Sequence, residues 1–151
     1  PATGFYSLIY GATGIERAEN SVLSGTDDRF VVDRLQQLVE DLLDAYGSRC
    51  AATEYDVSEG LEAAHIRPYR GAHTNETRNG ILLRADIHNL FDYGIVGIDP
   101  ETMKVVLNQR AKGSKYAPLN GQRLRLPDDP KRQPDRELLL RHLKLHGISH
   151  N

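Results

Sequence analysis

Three short stretches decide how this chain folds: residues 61–68 have the sequence LEAAHIRP, residues 79–83 NGILL, and residues 86–92 DIHNLFD. The first is an apolar run that ends at a proline, which predicts a short strand. The second follows a loop rich in turn formers and predicts another strand. The third has apolar residues at helical spacing and precedes a glycine, which predicts a short helix. Strand, loop, strand and helix therefore follow one another over residues 60–94.

Polar side chains stand at defined places in this unit. His65 ends the first strand, Asn79 opens the second, and His88 lies in the helix, nine residues after Asn79. A neutral imidazole, with a pKa near 6.5, is a suitable base for activating water at neutral pH. Asp92 follows His88 by one helical turn on the same face, so its carboxylate could help to hold a cation.

The same residues closely resemble the signature of the HNH (ββα-metal) endonucleases, most of all the bacterial type with the motif LEAAHI, NG, H and FD. The resemblance spans roughly residues 46–107. It implies that His65 is the general base, that Asn79 fixes the loop by hydrogen bonds, and that His88 holds one divalent ion, Mg²⁺ or Mn²⁺. The expected reaction is hydrolysis of DNA, leaving a 5′-phosphate, and such domains often cut for restriction or phage-defence proteins.

The sequence departs from the family pattern at the position directly before the general base. Many HNH sites carry His or Asp there as a metal ligand, and this chain has Ala64. Glu62 lies two residues earlier on the same face of the strand. It could reach the cation as a third ligand beside His88 and Asp92, or it could orient an arginine that grips phosphate. The sequence leaves both roles open.

Structural zinc is not expected. Zinc-framed HNH proteins carry two Cys pairs, whereas this chain has the single Cys50, with Arg84 and Ile87 where a second pair would stand. Hydrophobic packing must replace that zinc, and the obvious donor is a long helix predicted over residues 28–46. Its apolar residues recur every three or four positions, and Gly47 would end it.

Charge points to a phosphate-bearing partner. Residues 1–60 carry 4 basic and 11 acidic side chains, a net of −7, whereas residues 61–151 carry 15 basic and 10 acidic, a net of +5. A basic half can bind nucleic acid by releasing counterions. Arg67 and Arg70, directly after the base, are placed to meet phosphates, although ordinary surface arginines would look the same.

The remaining sequence predicts a single domain over residues 1–151, of mixed α+β class, with helices and a hairpin added to the ββα core. Residues 1–27 are predicted as a loop-rich arm with one short strand. Residues 95–151 are predicted as a β-hairpin, a strand at 124–126, and a C-terminal helix with Pro134 at its first position.

Composition is that of a soluble globular protein, with 39% hydrophobic and 26% charged residues and no run long enough to span a membrane. A single cysteine fits a reducing compartment, so we expect a cytoplasmic protein whose partner is DNA and not a membrane. Cutting both strands with one site per chain would favour a homodimer.

Alternatives remain open at this stage. The chain could be a ββα module that binds nucleic acid but has lost turnover, for which Ala64 is the best argument. It could also cut RNA or damaged DNA. A rival metal site is offered by His142, His146 and His150, which repeat every four residues, although Gly147 would end the helix between them. Nothing around Cys50 resembles a cysteine-enzyme signature.

Overall fold

A computed structural model describes residues 28–150, with side chains described from residue 33 onward except at residue 72. The loop-rich arm predicted at 1–27 lies outside the described residues. The described elements are three helices and four strands, joined by turns: α1 Asp28–Ala45, β1 Leu61–His65, β2 Gly80–Arg84, α2 Ala85–Asp92, β3 Val96–Ile98, β4 Val105–Leu107 and α3 Arg136–His146. The predicted mixed α+β class is confirmed.

Helix α1 contributes one wall of the core. Its buried residues are Leu35, Leu38, Val39 and Leu42, which recur at helical spacing. Gly47 follows with a φ of 64°, the left-handed conformation that ends a helix. The predicted helix of 28–46 is therefore present, one residue shorter.

Strands β1 and β2 pair antiparallel, with Leu61 opposite Arg84 and His65 opposite Gly80. All five residues of β1 are buried, because α1 and α2 both pack against this small sheet. Gly80 permits the close approach of α1: a Cβ atom there would lie 2.9 Å from Leu42 Cδ1. The sheet therefore has little freedom to move relative to either helix.

Helix α2 begins directly after β2 and ends before Gly94, which has a φ of 71°. Its buried residues are Ile87, His88 and Phe91. The chain then forms the β3–β4 hairpin, in which Val96 pairs with Leu107. Helix α3 packs on β3, where a Cβ at Gly97 would lie 2.5 Å from Leu143 Cδ2.

Two local predictions are wrong. Residues 124–126 form no strand, because the pairing with the hairpin is a single bridge between Lys104 and Arg123 and does not continue into a ladder. Pro134 is not the first residue of α3. Asp135 caps that helix, its carboxylate accepting from two backbone N–H groups, so the proline precedes the cap.

Within residues 28–150, no helix combines the length and the apolar character needed to cross a bilayer.

Candidate functional site

One group of site residues joins β1 to α2. The His88 Nδ1 lies 2.7 Å from Glu62 Oε1, and its Nε2 lies 3.3 Å from Asp92 Oδ2. His88 is 1% exposed and Glu62 4% exposed. The structure thus brings together three of the predicted site residues, and it holds the His88 ring between two carboxylates.

The spacing of the second contact suits a shared cation. Ligands about 2.1 Å from an ion lie roughly 3.0 Å apart at a right angle and roughly 3.4 Å apart in a tetrahedron. The 3.3 Å between His88 Nε2 and Asp92 Oδ2 falls in that range. A metal-binding histidine commonly donates its other N–H to a carboxylate, which fixes the tautomer and the ring orientation. Glu62 occupies that place here, so these residues fit a divalent ion.

The same contacts also affect the charge of the His88 ring. Burial alone would lower the pKa of His88, but its hydrogen bonds and charge interactions with Asp92 and Glu62 outweigh burial and raise the pKa to about 9. At neutral pH both ring nitrogens therefore carry protons in the absence of an ion. A metal ion bound at Nε2 must displace the proton there.

No group of three or more His, Cys, Asp or Glu side chains converges on one point within the described residues. Glu62 faces Nδ1, the side of the ring away from the Nε2–Asp92 pair, so its Oε1 and that pair do not meet. No ion pair joins the Glu62 carboxylate to an arginine whose side chain the structure describes. The sequence offered Glu62 as a metal ligand or as the partner of an arginine. The contact that the structure shows is a third one, between Glu62 Oε1 and His88 Nδ1.

The second group surrounds His65 at the end of β1. The Nε2 atom of His65 lies 2.8 Å from Asn75 Oδ1, and the ring meets Tyr69 edge-on with centroids 6.0 Å apart. His65 itself is buried. An amide oxygen can only accept, so Nε2 carries the proton and the neutral ring has its lone pair on Nδ1.

Asn79 ties the loop between β1 and β2 together. Its Oδ1 accepts from the Arg67 N–H at 2.8 Å, and its Nδ2 donates to the carbonyls of Arg67 and Thr74, at 3.1 and 2.9 Å. The loop-fixing hydrogen bonds expected of Asn79 are thus seen. They fix the residue before Asn75, so Asn79 acts on His65 through Asn75.

Asn75 was missed from the sequence, where it is one of several turn formers in the loop. Asn75 lies ten residues after His65, and no regular spacing relates two positions across an irregular loop, so their contact follows only from the folded loop. The weak available signal was that Asn75 lies four residues before Asn79, within reach of the same turn.

Arg67 and Arg70 belong to neither group. Both are exposed on the loop after β1, and they line a cavity of about 440 Å³. Neither forms an ion pair within the described residues.

The rival histidine site does not assemble. His142 is buried, its Nε2 donates to the Phe91 carbonyl at 2.8 Å, and its ring stacks on Phe91 with centroids 3.8 Å apart. His146 lies against His142, whereas His150 follows the end of α3. His142 therefore links α3 to α2 and is a packing residue.

The positions that correspond to a zinc frame are occupied by packing and hydrogen bonds. Cys50 and Ile87 are buried in the core, and the Arg84 N–H donates to Cys50 Sγ at 3.3 Å. The Arg84 guanidinium pairs with Asp86, which also accepts from the Tyr116 hydroxyl. These contacts hold β2 and the start of α2 without two cysteine pairs.

Comparison with known proteins divides the chain. Residues 50–99 match the model of the HNH endonuclease family, and residues 1–45 match that of the penicillin binding protein A dimerisation domain. Among solved structures, the modification dependent TagI restriction endonuclease is similar, with a TM-score of 0.54 and 23% identity over 72% of this chain and 37% of that one. That likeness concerns the fold.

Curated relatives match only a short segment. The peptidoglycan D,D-transpeptidase PbpA of Mycolicibacterium smegmatis is 60% identical over 35 residues, and that of Mycobacterium tuberculosis is 54% identical over 35 residues. Each match covers 23% of this chain and spans 7% of the relative.

Proposed function

We propose that this chain, whose residues 50–99 match the model of the HNH endonuclease family, is a metal-dependent nuclease that hydrolyses phosphodiester bonds of DNA. In this proposal His65 is the general base, and His88 with Asp92 holds one divalent ion, Mg²⁺ or Mn²⁺. Asn79 fixes the loop beside the base, while Arg67 and Arg70 meet the phosphate backbone.

The observation that carries the proposal is the His88–Asp92 pair. Its 3.3 Å spacing suits two ligands of one ion, and Glu62 holds the opposite nitrogen of the ring. The remaining positions around Mg²⁺ or Mn²⁺ would go to water and substrate phosphate, as is usual for Mg²⁺ in nucleotide sites.

His65 would take the proton of the attacking water. Its Nε2–H donates to Asn75, so Nδ1 is the nitrogen with the lone pair that can accept a proton. The imidazolium formed keeps its hydrogen bond to Asn75 throughout. The bound ion would supply Lewis-acid stabilisation of the phosphate and of the leaving oxygen.

The TagI neighbour is named as a modification dependent restriction endonuclease, and this supports a role as the cutting domain of a restriction or phage-defence protein. A second candidate is a ββα module that binds nucleic acid without turnover. Ala64 favours it, because this position offers no ligand to the ion. A nuclease for RNA or damaged DNA is the third.

Cleavage assays separate these candidates. Supercoiled plasmid and single-stranded RNA are incubated with the protein and Mn²⁺ or Mg²⁺, with and without a chelator. We expect plasmid cleavage that the chelator abolishes and that His88→Ala abolishes with it, whereas His150→Ala, a histidine beyond the last helix, should cut normally. DNA binding without cleavage at any metal concentration would establish the binding module, and preferential cleavage of RNA would correct the substrate.

A further inference from the structure

The cavity lined by Arg67 and Arg70 has a second wall that the family-matched segment does not supply. One wall is the chain after β1, with Ile66, Arg67, Pro68 and Arg70, and the other is a face of α3. On α3, Leu138, Arg141 and Leu145 recur at spacings of three and four and so share that face, next to Lys144. We propose that this groove binds a DNA backbone strand, with Arg141 and Lys144 as phosphate contacts.

The lining of the groove is charged with one sign. It has four cationic side chains, Arg67, Arg70, Arg141 and Lys144, and no acidic residue. All four are exposed, and none forms an ion pair with a side chain that the structure describes. Clefts lined by one sign of charge concentrate counterions of the opposite sign, and DNA phosphates are such ions.

Several other arginines among the described residues are already engaged. Arg78 pairs with Asp135, Arg84 with Asp86, and Arg132 with Asp44. Arg125 donates to the backbone carbonyls of residues 46 and 49. These arginines hold parts of the fold together. The four cations of the groove differ from them, because they lie near one another without carboxylate partners among the described residues.

The lining also indicates how DNA is recognised. Apart from the cations and His142, it consists of aliphatic and proline side chains, with no Asn or Gln to read base edges and no Phe, Tyr or Trp for base stacking. Contacts of this kind position a strand without reading its sequence. The groove therefore favours binding that depends little on sequence, and the choice of site would belong elsewhere.

Helix α3 is fixed where this function needs it. His142 joins α3 to the carbonyl of Phe91 in α2, the helix that carries His88. Gly97 lets Leu143 pack closely on β3. The helix that carries Arg141 and Lys144 is therefore packed on the elements next to His88. Leu145, 74% exposed at the rim, gives the groove an uncovered apolar edge.

The inference rests on the proposed nuclease function, so its test separates binding from cleavage. A His65→Ala protein, which should not cut, is combined with Arg141→Ala and Lys144→Ala. Its control carries Arg110→Ala and Lys112→Ala, which remove two exposed cations that do not line the groove. Both proteins lose the same net charge. Affinity for a short fluorescein-labelled duplex and for its single strand is measured by anisotropy over a series of salt concentrations.

We expect the groove variant to bind at least about tenfold more weakly, whatever the sequence, because charged hydrogen bonds to phosphate are lost. Its slope of log affinity against log salt should shrink by roughly 1.5. The control should match the parent protein in both. Arg141→Lys with Lys144→Arg, which keeps the charges, should restore binding.

With His65 intact, the groove variant should raise KM for plasmid cleavage and leave kcat nearly unchanged, since these contacts hold substrate and transition state alike. Unchanged affinity and slope would overturn the groove, as would an equal loss in the control. In either case wild-type cleavage would still stand. A wild-type protein that neither binds nor cuts DNA would instead overturn the proposed function, and the groove with it.

Discussion

The two groups of site residues are held in different ways. Glu62, His88 and Asp92 lie on β1 and α2, and the contacts between them join two regular elements inside the core. His65 also lies on β1, but its ring is held by Asn75 from the loop between β1 and β2. That loop depends in turn on three hydrogen bonds of Asn79.

Sites on helices and strands keep their geometry more accurately than sites on loops. The group of Glu62, His88 and Asp92 should therefore tolerate changes outside it, whereas the orientation of His65, the proposed base, should depend on the loop. If this comparison is right, variants in the first group change metal affinity, and variants around the second change the chemical step at saturating metal.

The largest effect is expected for His65→Ala. Loss of a general base costs roughly a hundredfold or more, and we expect cleavage to fall at least that far at saturating metal. Metal affinity and DNA affinity should stay near those of the wild type, because the variant changes neither the proposed metal ligands nor the proposed phosphate contacts. Single-turnover cleavage, calorimetric metal titration and anisotropy measure the three. If more than about a tenth of the rate survives, His65 is not the general base.

Glu62→Gln tests how the first group works. The amide keeps the size and an acceptor for His88 Nδ1 but loses the charge, and changes of such supporting groups typically cost ten- to a hundredfold in metal affinity. Calorimetric titration of Mn²⁺ into the wild type and the variant measures this loss. DNA affinity without metal should not change, since no ion pair joins this carboxylate to an arginine whose side chain the structure describes.

A double-variant cycle with His88→Ala decides between positioning and direct ligation by Glu62. If Glu62 acts through His88, Glu62→Gln should cost nothing further once His88 is gone. Additive losses of metal affinity would mean that Glu62 itself binds the ion, as the sequence allowed. Thermal melting of each variant establishes that all are folded.

The sequence predicted what regular spacing determines. The nine residues from Asn79 to His88, and the one turn from His88 to Asp92, are distances along elements of known geometry. The apolar stripe of α1 was visible for the same reason. No regular spacing relates residues that meet across a loop or between distant elements. The contact of Asn75 with His65 and that of Glu62 with His88 were therefore not predicted.

The groove shows the same limit at longer range. Arg67 and Arg70 were predicted to meet phosphate from their nearness to His65, but Arg141 and Lys144 lie some seventy residues further along the chain. The packing of α3 on β3 brings them to the groove, and no pattern in the sequence predicts that packing. The histidine repeat on α3 suggested a metal site instead. In the structure His142 is hydrogen-bonded and stacked on Phe91.

A smaller effect is expected on the pH dependence of stability, through the hydrogen bond from His142 of α3 to the Phe91 carbonyl of α2. Burial lowers the pKa of His142 to about 4, the Phe91 carbonyl and Asp92 raise it in part, and His146 lowers it further. The unfolded chain would protonate His142 near pH 6.5. Stability from the neutral ring is therefore complete above about pH 6.5 and is lost as the pH falls toward 4.

Urea unfolding at about pH 8 and about pH 5 measures this loss, for which we expect about 2 kcal/mol from His142 alone. His142→Gln keeps a donor for the Phe91 carbonyl but does not titrate, so its loss between the two pH values should be smaller by that amount. An identical pH dependence in the two proteins would show that His142 does not titrate as its burial implies.

The smallest effect, on Asn75, tests the comparison most directly. Asn75→Ala removes the acceptor for His65 Nε2–H but leaves the three backbone hydrogen bonds of Asn79 in place. A single neutral hydrogen bond contributes about 1 kcal/mol, so we expect kcat to fall about fivefold, with KM, metal affinity and melting temperature nearly unchanged. Asn75→Asp keeps the acceptor and adds a charge that favours the imidazolium. It should retain activity and move the acidic limb of the pH–rate profile to higher pH.

Asn79→Ala is the matched control, because the side chain of Asn79 binds the backbone of Arg67 and Thr74 in the same loop. The variant removes these partners, at about 1–3 kcal/mol for a group left buried without one, so its main effect should be on the melting temperature. Activity should fall with the loss of loop order and should recover in part on cooling, whereas the defect of Asn75→Ala should persist at all temperatures. If both variants lose stability and rate in the same proportion, Asn75 is only one more residue that holds the loop. His65 would then owe its orientation to the strand that carries it, and the two groups would not differ in the way described.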